Sequence, residues 1–136
     1  MKKYIFLVLF LLCGCSPVDI EPARQEVNIF RGLYQTGKYS DIYKITSSDF
    51  QTATSEKKFI DIMNEAKEKD LGTYKKSTLK TEKITRGLFL NDEITLIYFS
   101  EYSKRIVQEV FVFNVEDKKV KLKGYRYDSM VMTPTY

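Results

Sequence analysis

Residues 94–102, Ile94-Thr95-Leu96-Ile97-Tyr98-Phe99-Ser100-Glu101-Tyr102, and residues 106–115, Ile106-Val107-Gln108-Glu109-Val110-Phe111-Val112-Phe113-Asn114-Val115, decide the fold. β-Branched and aromatic side chains crowd both runs, which marks them as strands. Tyr102-Ser103-Lys104-Arg105 leaves room only for a tight turn, so the two strands are antiparallel neighbours. Downstream, Glu116-Asp117-Lys118-Lys119 is a second hairpin and residues 120–128 a further strand. Upstream, residues 74–85 alternate in the same way but are polar and lysine-rich, which suits an edge better than a centre. The expectation is a four-stranded antiparallel meander.

Before Tyr74 the apolar period changes from two to that of a helix. Ala23, Val27, Phe30 and Tyr34 form one stripe, opened by Glu21-Pro22 and closed by Gly37. Tyr39, Ile42 and Tyr43 repeat helical spacing until Thr46-Ser47-Ser48-Asp49 interrupts it. Thr54 or Ser55 is the N-cap of a further helix whose expected buried face is Phe59, Ile62, Met63 and Ala66, with Leu71-Gly72 as its end. Helices first and a meander afterwards predict an α+β domain, with the N-terminal helices packed on one face of a curved four-stranded antiparallel sheet.

A sheet with one wet face should alternate between apolar and polar residues. The two central strands do not. Phe111, Phe113 and Val115 load one face while Val110 and Val112 load the other, and residues 94–99 are apolar at both parities. The second set therefore wants cover, from sheet closure, from the C-terminal Met130-Val131-Met132, from a protein partner or homodimer mate, or from a small apolar ligand. Ile97, Phe99, Val110, Val112, Tyr125 and Tyr127 are the candidate binding face.

The chain opens with Lys2-Lys3, an apolar run from Tyr4 to Leu12, and Leu12-Cys13-Gly14-Cys15. This order is a secretory signal, and the run is well short of the ~20 residues that span a bilayer. Its ending resembles a bacterial lipobox, with Leu12 at minus three and Gly14 at minus one from Cys15. Cys13 would put bulky Leu12 where a small side chain belongs. The resemblance implies that Cys15 carries diacylglycerol after residues 1–14 are removed, leaving a lipidated tether over residues 15–21 and one domain over residues 22–136. By the enterobacterial pattern, Ser16 after the cysteine favours the periplasmic leaflet of the outer membrane. A tether of six residues reaches at most ~20 Å, which holds the domain close to the lipid.

Composition excludes several kinds of chemistry. The chain has no histidine, and its two cysteines both lie in the signal region. Triads built on histidine, thiolate or imidazole zinc sites and histidine-held haem are therefore closed to it, and no glycine-rich phosphate loop appears. No metal and no cofactor is expected. The formal charge of +4 falls to near balance once Lys2 and Lys3 leave, so no nucleic-acid partner is expected. The clusters Lys75, Lys76, Lys80, Lys83 and Lys118, Lys119, Lys121, Lys123 read as solvated strand faces or as contacts with lipid headgroups. Some chemistry survives, and a carboxylate base beside a tyrosine donor, the logic of ketosteroid isomerase, is one arrangement that remains open. Its possible members are Asp49, Glu101, Glu109 or Asp128 with Tyr98 or Tyr125. Cross-strand pairing, such as Glu109 with Arg126, explains those carboxylates more simply.

Gly37-Lys38-Tyr39, Phe59, Leu71-Gly72, the Glu109 strand and Gly124-Tyr125-Arg126-Tyr127 resemble the small bacterial domains of the cystatin-like or nuclear-transport-factor-two-like superfamily, in particular a periplasmic group of unknown function. The likeness covers residues 23–129, although this chain has no tryptophan. It implies the same fold, on which many unrelated activities occur. The expected function is a non-enzymatic, lipid-anchored envelope lipoprotein that binds another protein near the membrane, in an accessory, assembly or immunity-type role. The alternative is a carrier holding a small hydrophobic ligand between sheet and helices.

Overall fold

The computed structural model describes residues 18–88 and 90–130. The expected signal, Cys13, Cys15 and Ser16, and two residues of the C-terminal cover segment, Val131 and Met132, lie outside them. Four helices lead: α1 (Glu21–Gln35), α2 (Tyr39–Lys44), α3 (Ser48–Ala53) and α4 (Glu56–Glu65), the last running on into a π-helical turn at Ala66–Leu71. Four strands follow: β1 (Tyr74–Thr85), β2 (Glu93–Tyr102), β3 (Ile106–Glu116) and β4 (Lys119–Ser129). They form one antiparallel sheet in sequence order, with the helices against one face. This is the expected α+β architecture, compatible with a cystatin-like or nuclear-transport-factor-two-like domain.

Local chemistry places each element. The Asp19 carboxylate accepts the Glu21 N–H at 3.0 Å, Pro22 occupies the first turn, and Ala23, Val27, Phe30 and Tyr34 are sealed. At the other end the Lys38 N–H returns to the Leu33 carbonyl at 2.9 Å while Gly37 takes φ +70°. That combination needs a left-handed residue, which glycine supplies without strain. Ser47 and Ser55 cap α3 and α4 by accepting the N–H groups of Phe50 and Lys58. Val18 and Ile20 pack against the core, so the stretch expected to be free tether is already part of the domain from Val18.

The end of the π-helical turn is stitched to the β2–β3 connection. Gly72, at φ +76°, leaves no room for a side chain, since a Cβ there would lie 2.0 Å from the Ser103 Oγ. The Lys104 N–H donates to the Leu71 carbonyl and the Ser103 N–H to the Thr73 carbonyl. The Tyr34 hydroxyl donates to the Gly72 carbonyl at 2.8 Å, tying α1 to the same corner.

Register decides which side chains meet. Ile97 faces Val110 and Thr95 faces Val112 across β2 and β3, on the side away from the helices. Phe111 faces Tyr125 and Phe113 faces Leu122, on the helix side. Between these last pairs β4 carries one extra residue, Lys123, a bulge that keeps both Leu122 and Tyr125 turned inward. The β3–β4 turn runs through Asp117 and Lys118, both at positive φ, the primed geometry that suits two-residue hairpins. The core is largely aromatic: Phe30 meets Phe111 edge-on at 5.2 Å, and Tyr34 meets Tyr102 at 5.7 Å.

Two expectations need correction. Ile62 is 51 % exposed rather than buried, because α4 is held by the narrow line Phe59–Met63–Ala66 and Ile62 lies one position around the helix. Tyr125 and Tyr127 do not share a face with Ile97, Phe99, Val110 and Val112. The bulge and register put Tyr125 and Tyr127 on the helix side, where both pack against the core.

Candidate functional site

An open cleft of about 680 Å³ lies between α3, α4 and the π-helical turn on one side and β4 on the other. Phe50, Phe59, Ile62 and Met63 supply its helical wall, and Tyr125 and Tyr127 its strand wall. Glu65, Lys69, Asp70 and Arg126 add a charged rim. The π-helical turn contributes Ala66, Lys69 and Asp70, and such turns are frequent at functional positions because they re-aim side chains out of helical register. Phe50 and Phe59 meet edge-on at 5.6 Å, which fixes one end of the apolar wall. At the other end Asp70 accepts from the Tyr127 hydroxyl at 2.8 Å and from Arg105. The hydrogen bond from Tyr127 holds the Asp70 carboxyl below its ordinary range; burial opposes it, and Arg105 and Lys104 add to the lowering. Burial, and then the Asp70 bond, push the Tyr127 phenol up to about 12.

Directly behind Tyr125 sits a buried ion pair. The Arg31 Nη1 lies 2.9 Å from the Glu109 Oε1, with side-chain exposures of 7 % and 0 %. The other carboxylate oxygen, Oε2, accepts from the Tyr102 hydroxyl at 2.7 Å and from the Tyr125 hydroxyl. Arg31 also donates to the Ser100 Oγ at 3.3 Å and lies 4.3 Å from the centre of the Tyr74 ring. Burial is the largest influence and works against the guanidinium charge, but the charge and hydrogen bond of Glu109 together with Tyr102 and Tyr74 outweigh it and the Arg31 pKa rises. Burial and the neighbouring carboxylate push the Tyr102 and Tyr125 phenols far above their ordinary range. Among the described residues no buried side-chain nitrogen or oxygen lacks a partner. Both Glu109 oxygens are thus engaged, three of the carboxylate's roughly four acceptor positions are filled, and its side chain has no surface in contact with solvent.

Of the residues considered for a carboxylate–tyrosine site, the structure brings together Glu109 and Tyr125. Tyr98 stands directly opposite Glu109 across β2 and β3, but its ring centre lies 5.2 Å from the Arg31 guanidinium and the bonds to the carboxylate come from Arg31, Tyr102 and Tyr125 instead. Asp49 and Asp128 are exposed on α3 and β4, and Glu101 points to the outer face, where it pairs with Lys76 at 3.6 Å. Glu109 does not pair with Arg126: Arg126 stands opposite Val110, at the parity of the outer face. Arg31 is the residue that sequence reasoning missed. Its signal was a charge four positions after Val27, within the apolar stripe of α1, matched by the one charge at the inward parity of β3.

The outer face keeps Ile97, Phe99, Val110 and Val112 together. Val110 is buried by its sheet neighbours, the other three are half-buried, and none belongs to the helix-side core. The Lys80 ammonium lies 5.2 Å from the Phe99 ring centre, so part of the screening comes from an edge lysine. Among the described residues no group of three or more histidine, cysteine, aspartate or glutamate side chains is placed to hold a metal ion. Compared with known families and with curated proteins, the chain matches no family model and no curated sequence.

Proposed function

We propose that this chain is a non-catalytic, lipid-anchored lipoprotein of the cell envelope whose cleft docks a segment of another protein close to the membrane. The observation that carries the docking is the cleft itself: apolar at its walls, charged at its rim, and open to solvent. Sites for small molecules enclose most of their ligand. Here the space between helices and sheet is filled by Phe30, Ile42, Phe111 and Phe113, and what remains is a groove with Ile62 standing in water. An extended segment can lie in such a groove with apolar anchors inward and its charges on the rim.

The anchor rests on the lipobox-like Leu12-Cys13-Gly14-Cys15, and the engaged state of Glu109 supports a role without bond-making. No helix among the described residues is long and apolar enough to cross a membrane. Native mass spectrometry of the protein extracted gently from its own membranes tests the docking. The expected result is an acylated chain carrying a polypeptide mass that Ile62→Glu removes. A co-purifying small apolar mass would overturn it in favour of a carrier. A doubled chain mass unaffected by Ile62→Glu would overturn it in favour of a homodimer.

A further inference from the structure

The geometry points to the β1–β2 hairpin tip as a second membrane contact, in which Leu88 and Leu90 enter the lipid interface beside the anchored N-terminus. The inference rests on the lipid-anchor reading and adds an orientation to it.

Large apolar side chains that remain exposed are unevenly placed. Of the six among the described residues, Ile84, Leu88 and Leu90 all belong to this one hairpin, and the last two are 95 % and 83 % exposed. Leucines so fully in water at the tip of a hairpin have nothing within the domain to pack against, whereas the tip is free to approach an outside surface. The loop is shaped rather than arbitrary: the Asp92 carboxylate accepts the Gly87 N–H at 3.1 Å.

The occupant follows from where the chain enters. Helix α1, 15 residues and about 22 Å long, lies along part of the sheet. Its C-terminal end lies at the β2–β3 corner, where Tyr34 bonds to Gly72 and Arg31 reaches Tyr102. Its N-terminal half lies toward the opposite end, where Glu26 feels the charge of Lys121. Lys121 pairs with Asn114, which pairs with Glu93, and Glu93 is the first residue of β2 after the tip. The start of α1, with Glu21 and Arg24 near Tyr98 of β2, is therefore directed toward the end of the domain that carries the leucine-bearing tip. Val18 is already packed, so Cys15 stands only three positions before the folded body, a reach of about 10 Å. A lipid on Cys15 would bring that end, rather than the cleft wall or the β2–β3 corner, against the bilayer.

Charge neither blocks nor demands this. Lys83, Arg86, Lys118 and Lys119 are set against Glu82, Glu116 and Asp117, while Asp92 bonds to the loop and Glu93 to Lys123. Apolar insertion is the driving contribution, so a zwitterionic bilayer is sufficient.

The chain contains no tryptophan, so one introduced reporter can be read alone. The full chain with Leu88→Trp, purified from membranes and placed in phosphatidylcholine vesicles, should show blue-shifted emission and lose most of it when the acyl chains are brominated. Ile106→Trp, at the opposite end of the sheet, should stay bright, and Leu90→Asp beside Leu88→Trp should restore most of the emission. An unquenched Trp at position 88, or equal quenching at position 106, overturns the proposal. Intact mass of the same preparation tests the anchor separately: quenching at position 88 in an unacylated chain upholds the tip and removes the lipid, whereas acylation without quenching removes the tip and keeps the lipid.

Discussion

On the helix side of the sheet, Ile94, Leu96, Val107, Phe111 and Phe113 are sealed to 1 % exposure or less, while on the outer side Ile97, Phe99 and Val112 keep part of their surface in water. The two sets come from the same strands and are similarly apolar. The sealed side nevertheless holds the charged pair Arg31–Glu109, and of the outer set Ile97, Phe99, Val110 and Val112 only Val110 is buried. Burial is therefore set by what packs on a face and not by how apolar that face is. A charge is tolerated inside because surrounding polar groups complete its bonds, and hydrophobic residues are tolerated outside because flat neighbours and the stems of lysines screen them.

The largest break of this contrast is Arg31→Met, which leaves Glu109 buried without its counter-charge and should cost about 3–5 kcal/mol in urea unfolding. Adding Glu109→Leu should recover much of that loss, since an apolar pair has no charge to desolvate. A single-variant loss below about 1 kcal/mol would mean that water reaches the pair.

Alkaline titration sharpens the same contrast. Burial raises the Tyr34, Tyr102 and Tyr125 phenols in the folded protein, Tyr127 to about 12. Their stability is fully present below the unfolded value of about 10 and is lost as pH rises through the folded values, roughly 1.4 kcal/mol per pH unit for each phenol. Tyr102→Phe should make the decline above pH 10 shallower by about one proton's slope, and an unchanged slope would show that Tyr102 is not sealed.

On the open face, Ile97→Ala should cost only about 1 kcal/mol, independent of protein concentration. A loss above about 3 kcal/mol that grows on dilution would mean that a second copy covers this face. Smallest of all, Asp70→Asn at the cleft rim should cost at most about 1 kcal/mol, because Asp70 and Arg105 are both well exposed. What stability the carboxylate adds is present above its unfolded value near pH 4 and is lost as pH falls through its lowered folded value, so the gap between wild type and variant should close in acid.

Much of this was legible in the residues. The period-two runs placed β1 at its observed bounds and β2, β3 and β4 within one residue, because dense β-branched and aromatic runs separated by short turns admit no other pairing. Gly37 and Leu71-Gly72 announced their caps through residue type alone, and of the two N-cap candidates Thr54 and Ser55 the structure uses Ser55. The cleft was not legible, because it depends on one extra residue in β4. Lys123 shifts the register, and without that shift Tyr125 and Tyr127 read as partners of Ile97 and Phe99. Nor could periodicity show that Ile62 stands clear of the core, since it fits the helical stripe and only the angle of α4 decides its neighbours. The Arg31–Glu109 pair joins residues 78 positions apart, so Glu109 was matched to Arg126 on the neighbouring strand and Arg31 was passed over.

The most direct measurement is site-specific photocrosslinking in living cells, with a photoreactive residue at position 62 in the cleft and, separately, at position 97 on the open face. Docking through the cleft predicts one discrete protein adduct from position 62 and none from position 97. A discrete adduct from position 97 alone, or none from either, would contradict it.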